Sequence, residues 1–234
     1  LKVRPIIFTG ESVRAILAGS KVQTRRIMKP QPPEWVREFG QTAFTPPGHI
    51  SGRGEYEDQG PGEKFFKCPY GVPGDRLWMR EAWLGLHRDH WAHPNQSKES
   101  VVNERGDRNA VAYRADTTPE GEEIRRQYGY RWRPSIHMPR WASRITLEVT
   151  EVRVQRLQEI SGEDAQAEGI SPLAASEISS ELLRAFPSMR RGASEREERM
   201  LAAFGYQWDR LNAKRAPWPS NPWVWGITFR RIKP

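Results

Sequence analysis

The sequence predicts an α+β fold, a small mixed β-barrel with flanking helices and long insertions, spanning 1–234 as a single domain. Three observations predict it. Helical periodicity is confined to a few segments, and these separate strands that mostly do not form consecutive βαβ units. Alternating apolar and polar residues occur near both ends and, most clearly, from Arg144 to Leu157. Polar stretches rich in Pro, Gly or charge interrupt the pattern at about 30–70, 86–109 and 172–205.

Residues 4–9 (RPIIFT) read as the first strand. Gly10-Glu11-Ser12 opens a helix in which Val13, Ile16 and Leu17 share a face, and Gly19 is placed to end it. Gln23 to Met28 reads as a strand stopped by Pro30, Pro32 and Pro33. Residues 30–73 carry Trp35, Phe39, Phe44, Phe65 and Phe66, and read as an irregular insertion docked on the domain. It has room for one short hairpin, and residues 48–63 (GHISGRGEYEDQGPGE) read as its most mobile part. A turn at 71–75 leads into a strand from Arg76 to Trp83, where Leu77 and Met79 alternate with Arg76, Trp78 and Arg80.

Residues 110–115 read as a short strand, 118–128 as a short helix or loop, and 132–141, broken by Pro134 and Pro139, as an aromatic and basic loop. In the long strand, Ile145, Leu147 and Val149 alternate, and the phase then shifts to Val152 and Val154; a bulge or bend near Glu151 would accommodate this. Ser161 caps a helix that ends at Gly169, with Asp164 three residues after the cap. One or two charged helices follow, the last with an apolar face of Met200, Leu201, Phe204, Trp208 and Leu211. Trp223 to Ile232 reads as the closing strand.

Thirty-seven basic side chains against 29 acidic ones give a net charge of +8, which favours a polyanionic partner, nucleic acid first. The single cysteine, Cys68, excludes an intrachain disulfide and a multi-cysteine zinc site within one chain. His87, His90 and His93 raise a metal hypothesis, but their segment is polar, flanked by turn formers and completed by no second cluster, so neither metal nor cofactor is expected. With no apolar run of about 18 residues and no signal-like start, the expected setting is cytoplasmic, with no membrane partner. Nothing specifies an oligomeric state. Most of the ten Trp are assigned to the core, because few other large apolar residues exist to build one; Trp78, Trp83, Trp132 or Trp141 is available to stack on a base.

Gly19 to Arg26 (GSKVQTRR) places an amine, a hydroxyl and two guanidiniums within six residues. A threonine hydroxyl becomes a nucleophile only beside a base. Lys21 serves as that base only if burial or nearby cations, here Arg25 and Arg26, lower its pKa. Geometry objects: positions 21 and 24 of a regular strand point to opposite faces, so Lys21 and Thr24 converge only if the chain bends at Val22-Gln23. The competing reading is a basic turn leading into a strand. Glu163 and Glu81 are candidate acids, the latter beside Trp78 and Trp83, whereas Arg80 reads as a surface or ion-pair residue.

This order of features resembles the ASCH family, a branch of the PUA-like superfamily of β-barrels. Gly19 to Arg26 looks like the family's G-x-K-x-x-T-x-R motif, and Pro73-Gly74-Asp75-Arg76-Leu77 like its Gly-Asp segment before a strand. The strand from Ile145 running into Leu157–Ser161 and the closing strand from Trp223 also match, and the whole is most similar to the long phage- and prophage-encoded members. The resemblance implies binding of RNA, a nucleoside or a modified nucleobase. It further implies an amidohydrolase removing the acyl group of N4-acetylcytidine-type nucleosides, with Lys21 as base, Thr24 as nucleophile and Glu168 as acid. Arg25, Arg26, Glu81, Trp78 and Trp83 are then the candidate binding residues. Two alternatives stand beside it: a non-catalytic RNA or modified-base binding module, and a metal-independent ribonuclease.

Overall fold

The computed structural model of the chain describes every residue except 42–44, 47, 57–59, 87–99, 103–107, 188–192 and 233–234. Its elements are, in order, β1 (Val3–Ile7), α1 (Gly10–Leu17), β2 (Gln23–Ile27), β3 (Val36–Gly40), β4 (His49–Tyr56) and β5 (Gly60–Lys67). Then come β6 (Arg76–Arg80), β7 (Trp83–Leu86), β8 (Ser100–Val102), β9 (Arg108–Tyr113), α2 (Pro119–Gln127) and β10 (Thr146–Arg156). Helices α3 (Gly162–Ala167), α4 (Pro172–Ser176), α5 (Ser180–Ala185) and α6 (Glu195–Asn212) precede β11 (Trp223–Ile232). The fold is mixed α+β with several sheets, and its strand ladders are open, with no closed barrel among the described residues. It divides into two compact units, one of Leu1–Gly19, Arg76–Glu148 and Arg231–Pro234, the other of Ser20–Asp75 and Val149–Arg230.

In the first unit, β6 lies between β1, parallel to it, and the start of β10, antiparallel to it with Leu77 opposite Leu147. Leu77 and Met79 are buried while Arg76 is exposed, as period two requires. Helix α1 is capped by Thr9, whose hydroxyl accepts from the Ser12 amide at 3.3 Å, and it ends before Gly19 at φ +76°. A second sheet, β7-β9-β8, is antiparallel throughout, so the polar segment 86–109 contributes a strand that its sequence does not announce. Trp83, Val111, Tyr113, Met138 and Ala142 form a core beneath it.

In the second unit, the remainder of β10 lies beside β11, which pairs with β2 so that Thr24 faces Ile227 and Arg26 faces Trp225. The burial alternation of β10 stops at Thr150 and Glu151, both exposed. Helix α6 seals the main core with Met200, Leu201, Phe204 and Trp208 against Leu157, Ile160, Trp218 and Val224. Leu211, expected on that face, is exposed instead, because the helix outruns the core by its last turn. Segment 172–205 holds two short helices and the start of α6. No helix among the described residues is long and apolar enough to cross a membrane.

The largest departure from expectation is segment 30–73. Its described residues form a three-stranded antiparallel sheet, β3-β4-β5; within 48–63, read as its most mobile part, residues 49–56 make up β4 and residues 60–63 begin β5. One short hairpin was expected in this segment, but glycines lower strand propensity and hide the length of its strands and the third strand from pattern reading. Here they permit close approach: a Cβ on Gly54 would lie 1.6 Å from the Trp35 carbonyl oxygen, where the β3 ladder shifts register, and one on Gly52 would lie 2.8 Å from the Phe66 ring. Phe39 then packs edge-on against both Phe66, at 5.4 Å, and Trp223, at 4.8 Å. Gly54→Ala should therefore destabilise the protein by about 1–3 kcal/mol or more through overpacking against backbone. Thermal unfolding checks it; an unchanged melting temperature contradicts this close approach.

Candidate functional site

Strand β2 and the residues leading into it gather charge inside the second unit. Val22 threads the segment between two neighbours: its amide donates to the Ala167 carbonyl at 2.9 Å, and its carbonyl accepts from the Phe229 amide at 2.9 Å. An isolated antiparallel bridge joins Lys21 to Glu168. The alternate positions 21, 23 and 25 then turn toward Asp164 of helix α3 and Glu168, the residue that caps its C-terminus four positions on.

The Lys21 amine donates to Glu168 Oε2 and to the Glu168 backbone oxygen, both at 2.6 Å, with both side chains buried. Arg25 Nη1 donates to Glu168 Oε1 at 3.2 Å and to Gln23 Oε1 at 2.7 Å, and Nη2 to Asp164 Oδ2 at 2.8 Å. The other Asp164 oxygen accepts from Arg153 Nη2 of β10 at 2.5 Å. The Arg25 guanidinium also lies 5.8 Å from the Phe204 ring centroid of α6. Two carboxylates thus bridge three cations, each of their four oxygens accepting from one cation.

Burial lowers the pKa of Lys21 below the ordinary lysine value; the charge and hydrogen bond of Glu168 oppose this, and Arg26 and Arg25 add to the lowering. Burial would raise Asp164, but Arg25 and Arg153 outweigh it and hold this carboxyl below its usual range. Arg26 lies 5.9 Å from the Tyr70 ring, and burial lowers its pKa against the opposing influence of Tyr70 and Glu168.

The residues that the sequence singled out fall into three groups. Lys21 and Glu168 are in direct contact. Glu163, the rival acid on the same helix, is exposed. Thr24 is buried opposite Ile227, and among the described residues its hydroxyl hydrogen-bonds neither Lys21 nor Glu168, in keeping with the alternation of the strand. Arg25, expected to meet a ligand, has 0 % side-chain exposure; it holds Glu168 and Asp164 in place.

Glu81, Trp78 and Trp83 belong to the first unit. Glu81 is closed into a bidentate pair with Arg144, at 3.0 and 3.1 Å, and Arg144 also binds Asp116 and lies 3.9 Å over the Tyr113 ring. Burial opposes the Arg144 charge, but the hydrogen bonds that Arg144 donates to Asp116 and Glu81, with their negative charges, outweigh it and raise its pKa. Trp83 is a core residue, edge-on to Trp141 at 5.9 Å, so its ring is not free to stack on a base. Trp78 is half-buried between the guanidiniums of Arg80 and Arg140. His87, His90 and His93 lie outside the described residues, among which no cluster of three metal-ligating side chains occurs.

Gln23, Asp164 and Arg153 complete the network without having been singled out as site residues. The signal was in the sequence as two spacings, i, i+2, i+4 in the strand and i, i+4 in the helix. No family model, no curated protein and no solved structure matches the chain. The chemistry of the site therefore rests on its own geometry.

Glu168→Leu leaves the buried Lys21 charge without its carboxylate, while Arg25 keeps Asp164, and loss of one partner of a buried pair costs about 3–5 kcal/mol. Lys21→Met should cost less, because Glu168 keeps Arg25. Chemical denaturation of the two variants checks this order, and the reverse order contradicts the geometry. The depressed Asp164 pKa contributes stability that is present above its unfolded value and lost as pH falls through the folded one. Asp164→Asn should thus lose less stability than the wild type below about pH 4, read as melting temperature against pH; parallel curves contradict it.

Proposed function

We propose that this chain is a divergent ASCH-type protein of the PUA-like class, and that it removes the acyl group from an N4-acetylcytidine-type nucleoside. One observation carries the reading: the residues paired as base and acid, 147 positions apart, share a buried hydrogen bond of 2.6 Å. Passing the single proton along that bond converts ammonium and carboxylate into amine and carboxylic acid, the two forms the reaction needs. Loss of solvent favours the neutral form of Lys21, in line with its lowered pKa. In the proposed cycle the Lys21 amine accepts the Thr24 hydroxyl proton as that oxygen attacks the acyl carbon. Glu168 gives its proton to the departing N4 nitrogen, and water then hydrolyses the acyl-threonine. Arg25 acts as a positioning residue for Glu168.

Acetate release from N4-acetylcytidine, followed by chromatography of the nucleoside product, tests the proposal. Lys21→Ala, Thr24→Ala and Glu168→Gln should each lower kcat by about 100-fold or more; full activity in these variants overturns the assignment. Because the active pair shares one proton, the rate should be bell-shaped in pH. Its alkaline limb should lie below the ordinary lysine value of 10.5, given the lowering at Lys21. One observation favours a second reading, a non-catalytic RNA or modified-base reader: the Thr24 hydroxyl makes no hydrogen bond to the pair. Salt-sensitive binding of the acetylated nucleoside or RNA without acetate release decides for that reading.

A further inference from the structure

In the second unit, strand β10 sends a side chain across its neighbour. Strand β11 lies between β10 and β2, so two strand spacings, about 10 Å, separate β10 from β2. Arg153 of β10 nevertheless donates from Nη2 to Gln23 Oε1 of β2, at 3.4 Å, and to Asp164 Oδ1 of α3, at 2.5 Å. Gly226 opens the way. It is the only glycine of β11, buried within that strand and paired with Arg25 of β2. A Cβ at Gly226 would lie 3.1 Å from Arg153 Cγ and 3.4 Å from Arg153 Nε, so the arginine stem occupies the space that a larger residue would fill. Glycine weakens a strand interior, and the close approach of another group accounts for one at this position.

Both ends of this arm are held. On β10, Glu151, Arg153 and Gln155 stand at alternate positions, and the outer two fix the one between them. Arg153 Nε donates to Gln155 Oε1 at 2.8 Å and Nη1 to Glu151 Oε2 at 3.5 Å. At the far end, Arg153 and Arg25 share two acceptors. Gln23 Oε1 accepts from Arg25 Nη1 at 2.7 Å as well as from Arg153, and Asp164 accepts from Arg25 on Oδ2 and from Arg153 on Oδ1. Arg25 in turn donates to Glu168 Oε1. Arginine stays protonated and only donates, so an acid proton on Glu168 belongs on the other oxygen, Oε2, which faces Lys21. The alignment of Arg25 therefore selects which oxygen of Glu168 serves as the acid.

We propose that Arg153 is a positioning residue for Glu168, acting through Gln23 and Asp164 on Arg25, and that Gly226 is the gap in β11 that admits it. The proposal rests on the deacylation reading given under Proposed function, in which Glu168 gives its proton to the departing nitrogen. Arg153 touches neither Lys21 nor Glu168 among the described contacts, and its influence on rate is one of alignment. Alignment at this remove matters, because a misplacement of about 1 Å caused far from the chemistry slows a reaction about 100-fold.

A double-mutant cycle on the full chain tests this, read as deacylation of N4-acetylcytidine. Arg153→Met should lower kcat about tenfold or more while leaving KM nearly unchanged. Gly226→Val removes no polar group and suits a strand, yet it blocks the arm and should lower kcat in the same way. The double variant should fall no further than Arg153→Met alone, because both changes break one path. Circular dichroism checks that each variant is folded, and Gly226→Ala, with the smaller intrusion, replaces Gly226→Val if that variant does not fold. Unchanged kcat in Arg153→Met overturns the proposal, as do losses that simply add in the double variant. Nitrogen-15 NMR of the Arg25 guanidinium gives a second reading that needs no activity. Rotation about its C–N bonds should quicken severalfold in both single variants. Wild-type protein that releases no acetate defeats the deacylation reading, and the NMR arm then decides the positioning role alone. Arg25 rotation unchanged in both variants overturns that role, whatever happens to catalysis.

Discussion

The second unit depends on one constraint: two carboxylates, one on the six-residue helix α3 and one at its C-cap, must satisfy three cations from β10, from β2 and from the residue that leads into β2. Asp164 and Glu168 have four oxygens between them, and these oxygens accept from Lys21, Arg25 and Arg153. That requirement fixes where α3 begins and ends. Ser161 caps it at one end, its hydroxyl accepting from the Asp164 amide at 3.1 Å, and Gly169 at φ +94° turns the chain away directly after Glu168. Gly162 admits the side chain of Glu197 from α6, since a Cβ there would lie 2.9 Å from Glu197 Cγ, and the Glu197 carboxylate accepts from the Gly162 amide. The placement of the charges and the packing of the helices are thus one problem with one solution.

Sequence pattern disclosed the elements whose period is clean. Leu77 and Met79 alternate and are buried; Val13 and Ile16 recur at helical spacing and are buried. It failed where a residue's role depends on something far along the chain. Gly52 and Gly54 weaken a strand signal locally, and only the approach of Trp35 and Phe66 explains why they are needed. Arg25 looked like a ligand contact because arginines beside a lysine form a basic turn in sequence. In space the period of two turns Arg25 inward and leaves it no solvent-exposed surface. Trp83 looked like a stacking platform by composition alone, and the Tyr113 and Met138 side chains that enclose it come from segments 30 and 55 positions further on.

The site was legible in part for the same reason. The Lys21–Glu168 contact was reached by matching motifs at both ends of a separation of 147 residues, which no local rule spans. The rest of the network, Gln23, Asp164 and Arg153, carried no motif. Its members are ordinary residues for a strand and a helix, and their grouping follows from which faces the two elements present. The strand period also told against Thr24, and the structure keeps that objection alive by leaving its hydroxyl unbonded to the pair.

The two cations bound to Glu168 are not chemically equivalent, and the difference bears on what the network is for. A buried ion pair is often no more stable than apolar side chains of the same volume, so stability alone gives little reason for burying either charge. Arg25 has a guanidinium that stays protonated in any folded protein, and its two-pronged contact with Asp164 and Glu168 orients both carboxylates. Orientation is a role that a permanent charge performs well. Lys21 is ionisable, and burial lowers its pKa while the charge and hydrogen bond of Glu168, 2.6 Å away, oppose that lowering. A lysine adds little orientation that Arg25 does not already supply, but it adds the one group in the network able to exist as a neutral amine. A permanent cation that holds Glu168 and an ionisable one beside it are the two roles that the proposed acid–base reading assigns to Arg25 and Lys21.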